Sequence, residues 1–199
     1  MDVIGSWEIE HLDNPELFHD LAVGYLDTSI VATRAMVYGA FLPRFSHSRV
    51  VLSMAHHAIE LFLKGAILRA TGDKKCSGHL LKDLYKRYVE LYPEPELHFD
   101  LPFGFDYVGF APEQIAKMRK DEPPQDQMYR YHTNLHGERW GGACGFDAGP
   151  YLQTLESLRK SFVDIGRRIH WKMYDGQQSR GGDSENRAED GTVPGAPQG

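Results

Sequence analysis

From Ala58 to Leu68 the chain reads AIELFLKGAIL, apolar on every side of a helix but for the charges of Glu60 and Lys64. Those two stand four apart, so a helix places them on one face, with the acid N-terminal to the base, the favourable order. His56 lies one turn earlier on the same stripe. A helix that is apolar all round belongs inside a bundle or a membrane. Crossing a bilayer takes about 20 apolar residues, and this run is shorter and charged. The pattern predicts the central helix of a soluble bundle, with one polar stripe facing inward or along a groove. Ser46 or Ser48 can cap it, and Gly72 is a good C-terminal stop.

The same periodicity marks the neighbours. Asn14-Pro15 reads as an N-cap followed by proline in the first turn. Leu17, Leu21, Tyr25 and Ala32, with Phe18, Ala22, Leu26 and Ile30 beside them, recur at helical spacing as far as about Ala40, and Pro43 stops the run. Gly78-His79 opens a third helix whose apolar stripe is Leu80, Leu81, Leu84, Tyr85, Tyr88 and Leu91, ended by Pro93 and Pro95. The stretch from Glu94 to Pro150 is irregular and rich in Phe and Tyr. A short helix starts at Ala111-Pro112-Glu113, and Pro123-Pro124 breaks it. A loop of this length is unusual in a compact domain, and its aromatics suggest an ordered flap. Asp147 caps the last long helix, where Leu152, Leu155, Leu158, Phe162, Ile165 and Ile169 form an amphipathic seam to about Tyr174.

The fold class that follows is all-α: an up-down four-helix-type bundle with a long irregular insertion before the last long helix. Residues 1–13 form a lead-in, 14–175 the helical domain and 176–199 a polar tail expected to be disordered.

Composition narrows the partners. The net charge is −6, of which −2 belongs to the tail (Asp183, Glu185, Glu189 and Asp190 against Arg180 and Arg187), leaving −4 on the body. That argues against a broad phosphate-binding surface but leaves room for a local basic site. Cys76 and Cys144 lie 68 positions apart with no CxxC pair, which fits free thiols in the cytoplasm. The acidic N-terminus lacks the long apolar run of a secretory signal. No membrane association and no cofactor are expected.

Three pieces in succession, AIELFLKGAIL with Glu60 and Lys64, GHLLKDLYKRY with His79, and MYRYHTNLH with Arg130-Tyr131, resemble the HEPN superfamily of helical domains. The resemblance spans roughly residues 14 to 172. It implies a four- or five-helix bundle that often dimerises and often sits in toxin–antitoxin or other defence systems. One branch of the family comprises metal-independent ribonucleases, with an Arg, four to six residues and a His before the last helix. Arg130 and His136 fit that count, with five residues between them. Tyr131 after the arginine departs from the nuclease pattern, and the glycines that follow His136 suggest a loop. The Arg-Tyr pair resembles a non-nuclease branch instead. There the resemblance implies a binding network of Glu60, Lys64, His79, Arg130 and Tyr131, engaging a nucleotide, RNA or a cognate protein.

Each residue has a plainer reading. Glu60 and Lys64 can be an intrahelical ion pair, and His79 a packed helix-terminal residue. Arg130 can order its loop through carboxylates, with His136 at the surface. If the chain is a ribonuclease, His136 is the base and Arg130 the cation that steadies the phosphorane. His132 and His136 have the i, i+4 spacing of zinc ligands but no carboxylate or cysteine beside them, and no metal site is expected. A purely structural helical subunit is the third reading.

Overall fold

The computed structural model describes residues 5–39, 42–102 and 146–181, together with 111–114, 116, 129, 133 and 137. The regular elements among the described residues are all helices. They are α1 (Asn14–Val37), α2 (Phe45–Thr71), α3 (Leu81–Leu91) and α4 (Ala148–Gly181), with 3-10 turns at Ser6–Glu8 and Pro95–Leu97. The fold is all-α, as the periodicity requires.

Helix starts depart from the sequence reading for local chemical reasons. The N-cap of α1 is Asp13, not Asn14: its carboxylate accepts the Glu16 N–H at 2.9 Å, and Glu16 in turn accepts the Asp13 N–H at 3.1 Å. This reciprocal capping box satisfies two amides that the helix itself cannot. Asp13→Ala should lower stability by about 1 kcal/mol, read as a lower urea midpoint at unchanged slope. Neither Ser46 nor Ser48 caps α2. Arg44 is the N-cap, its amide donates to His47 Nδ1 at 2.9 Å, and the Ser48 hydroxyl donates to the Phe45 carbonyl. Gly72 does end α2, with φ of 71° in the left-handed region that suits glycine. Asp147 does cap α4, accepting the Gly149 N–H at 3.1 Å.

α2 is the core helix. It is long and apolar enough to cross a membrane by length and composition alone, yet its most apolar part is mostly buried inside the fold. α1 runs antiparallel to it: Arg69 meets Asp13, and the Ser29 hydroxyl donates to the Val51 carbonyl. The face of α1 that is buried consists of Ala22, Leu26, Ser29, Ile30, Thr33 and Met36, whereas Leu21 is exposed. Two hydroxyl residues therefore replace the larger aliphatics expected inside. They are accommodated because Ser29 and Thr33 both donate to backbone carbonyls, which removes the penalty for burying them.

Glycine sets the closest approaches. A Cβ on Gly65 of α2 would sit 2.9 Å from the Phe18 Cβ and 3.0 Å from the Pro15 carbonyl oxygen. One on Gly166 of α4 would sit 2.3 Å from His19 Nε2. The His19 ring lies in the room thus left and donates through Nε2 to the Phe162 carbonyl at 3.0 Å. Asp27–Arg159 and Arg34–Glu156 ion pairs join α1 to α4 along its exposed side. Such pairs contribute little individually.

Aromatics fill the middle. Phe62 stacks on Phe162 with centroids 3.9 Å apart, and meets Phe99 and Tyr88 edge-on. Tyr88, Leu97 and Phe99 are buried. The Tyr88 hydroxyl donates to the Leu97 carbonyl and the Tyr85 hydroxyl to the Phe99 carbonyl, while His98 Nε2 donates to the Tyr92 carbonyl. These bonds fasten the first residues of the long insertion onto α3. Of the short helix expected after Ala111, residues 112–114 and 116 are helical, and the remainder of 103–145 lies outside the described residues apart from 129, 133 and 137.

The connection 73–80 doubles back along α2, so α3 opens beside Glu60 and closes beside Ala66, whose carbonyl accepts the Tyr92 hydroxyl at 3.0 Å. The third helix begins at Leu81, two residues later than expected. Leu81, Leu84 and Tyr88 are buried, but Leu80 and Leu91 are exposed.

The chain divides into two compact units, Met1–Gly166 and Arg167–Gly199. α4 continues to Gly181, beyond the expected end near Tyr174. Lys172, Met173, Gln177, Gln178 and Arg180 are good helix formers, and that local preference is what a count of polar residues overlooks. Residues 182–199, the rest of the expected tail, lie outside the described residues.

Candidate functional site

The middle of α2 carries a buried acid–base pair, and its surroundings explain how it is tolerated. Glu60 and Lys64 are 3% and 8% exposed. Lys64 Nζ donates to Glu60 Oε1 at 2.8 Å across one helical turn. The same oxygen takes a second contact at 2.8 Å from Nδ1 of His79, which arrives from the connection before α3. His79 itself is 70% exposed at its side chain, against 4% for Glu60. The imidazole thus forms the outer wall of a buried carboxylate.

Electrostatics fix the protonation states. Burial by itself would raise the Glu60 carboxyl above the usual range. His57, Lys64 and His79 more than offset that and hold it well below the usual range, so it is ionised. An ionised carboxylate only accepts hydrogen bonds. His79 must therefore donate through Nδ1, which leaves Nε2 as the outward-facing nitrogen.

Glu60 Oε2 is buried and has no hydrogen-bond partner among the described residues. His57 Nδ1 stands 3.8 Å from it, too far for a hydrogen bond but close enough for charge to be felt. His57 also packs edge-on against Tyr25, with centroids 4.8 Å apart. Its link to Glu60 follows the i, i+3 spacing on α2, a local spacing legible in the sequence. His56 turns elsewhere: it is buried and lies edge-on to Tyr129, with centroids 6.1 Å apart. Tyr151 on α4 is a further polar group that the sequence does not flag. Its hydroxyl is buried with no hydrogen-bond partner among the described residues, and burial, with Tyr129 nearby, pushes it up.

Of the sequence-derived site residues, then, Glu60, Lys64 and His79 meet on one carboxylate oxygen. Arg130, Tyr131 and His136 lie outside the described residues. Among the described residues, no group of three or more His, Cys, Asp or Glu side chains is arranged to hold a metal ion. Cys76 is a free thiol. No family model, curated protein or solved structure matches this chain, and the functional reading rests on the geometry of this site.

Proposed function

We propose that the protein is a HEPN-like helical binding module that engages a nucleotide, an RNA or a partner protein at the Glu60–Lys64–His79 site. One observation carries the reading: a buried carboxylate in the core helix is met on one oxygen by a buried ammonium and by an exposed imidazole. Apolar residues of similar volume at these positions would often be as stable or more so. Two polar groups gathered on one buried carboxylate oxygen are better explained by recognition than by packing. Arg130 and Tyr131, which the family resemblance adds to the network, are proposed to act with them. The defence context, the homodimer and the cytoplasmic location belong to the same proposal.

The test uses His79, whose exposure makes its replacement compatible with folding. Fluorescence anisotropy of a labelled single-stranded RNA, with AMP and ATP as competitors, should report binding to the wild-type protein. His79→Gln should weaken it at least about tenfold, the loss of one hydrogen bond to a charged or buried group. Equal affinities for the two proteins, or no binding of any of the three probes, would count against the reading for nucleotides and RNA.

A further inference from the structure

The pairing of Glu60 with His79 has a chemical direction. Glu60 Oε1 can only accept, so the 2.8 Å contact is an N–H donated by Nδ1. In the neutral ring the lone pair must then sit on Nε2. That nitrogen is on a side chain 70% exposed, while the carboxylate that fixes the tautomer is 4% exposed. A buried acid holding an imidazole through one nitrogen, with the other turned outward, is the arrangement by which a carboxylate orients a histidine base and steadies its protonated form. Lys64, on the same Oε1, keeps the carboxylate ionised and in place.

We propose that Glu60 and His79 form a proton-transfer dyad in which His79 Nε2 takes the proton of a water molecule attacking an ester bound at this site. The inference shares the Glu60 and His79 geometry with the binding site proposed above and goes beyond it by adding a reaction. In the step, the water oxygen forms a bond to the ester carbonyl carbon as its proton moves to Nε2. Collapse of the tetrahedral intermediate breaks the bond to the leaving oxygen, which carries the electron pair away. Nε2 then returns its proton to the leaving group or to solvent. Ester and water become acid and alcohol, and the histidine ends as it began. His79 is the catalytic residue and Glu60 a positioning residue that touches no substrate.

The probe is p-nitrophenyl acetate, followed by release of p-nitrophenolate. The chain has ten histidines, so the comparison is between variants. His79→Gln should slow hydrolysis at least about tenfold, at the low end of what a positioned base contributes. His11→Gln, at an exposed histidine that is not one of the groups around Glu60, should leave it unchanged. Because replacing Glu60 risks unfolding, its role is read in the wild-type protein. The ¹⁵N spectrum of His79 should show Nδ1 protonated and Nε2 unprotonated in the neutral ring. Hydrolysis by His79→Gln at the wild-type rate overturns the proposal, as does a wild-type rate no higher than that of equimolar free imidazole. A spectrum with the proton on Nε2 overturns the role of Glu60. If His79→Gln loses RNA or nucleotide binding but keeps ester hydrolysis, the dyad fails while the binding site survives. The reverse result removes the ligand reading and leaves the dyad.

Discussion

Lys64→Met is expected to destabilise the fold by about 3–5 kcal/mol, because it leaves the Glu60 carboxylate buried without its closest cation. Glu60→Leu should cost a similar amount for the converse reason, stranding the Lys64 ammonium at 8% exposure. The double variant Glu60→Leu, Lys64→Met should recover most of the loss, since apolar side chains of similar volume remove both charges together. Urea unfolding of the three variants measures the coupling directly as a double-mutant cycle. Single variants within about 1 kcal/mol of wild type would mean that solvent reaches the pair and that it is an ordinary surface ion pair.

The same pair sets an acid limit. The Glu60 carboxyl is held below its ordinary value of 4.5 in the folded protein. A group depressed on folding contributes stability that is complete above the unfolded value and declines as pH falls towards the folded one. Stability should therefore fall progressively below about pH 4.5, and the double variant should lose this component of the acid sensitivity. Unfolding midpoints measured across that range for the two proteins give the comparison.

Phe62→Ala should be the most damaging apolar substitution, costing about 3–5 kcal/mol. Phe62 stacks on Phe162 of α4, meets Tyr88 of α3 and meets Phe99 of the following segment. Its loss opens a void bounded by α3, α4 and the segment after α3. The expected signature is a large drop in the urea midpoint together with weaker near-ultraviolet circular dichroism. Phe62→Leu, which keeps more of the volume, should cost distinctly less.

How much of this could be read from the sequence depended on the range of the interaction. The all-round apolarity of Ala58 to Leu68 identified the core helix, and the four-residue spacing of Glu60 and Lys64 identified its polar stripe. Gly72 and Asp147 mark helix ends because their chemistry is local. The inner face of α1 was less legible. Ser29 and Thr33 read as surface residues until their hydroxyls are matched to carbonyls, one of them on another helix. The cap of α2 carries no familiar local signal, because an imidazole, not a hydroxyl, takes the Arg44 amide. For the site, the sequence supplied His79 as a candidate but not its tautomer. The tautomer depends on which nitrogen reaches Glu60, a contact 19 positions away in the chain. Arg130, Tyr131 and His136 stay with the family resemblance.

Gly65 follows Lys64 directly, and there α1 approaches α2 closely, through Phe18 and Pro15. The separation of these two rods is thus governed by a hydrogen atom standing where other residues carry carbon. Any heavier substituent acts as a shim at the level of the buried ammonium and levers the N-terminal turn of α1 outward.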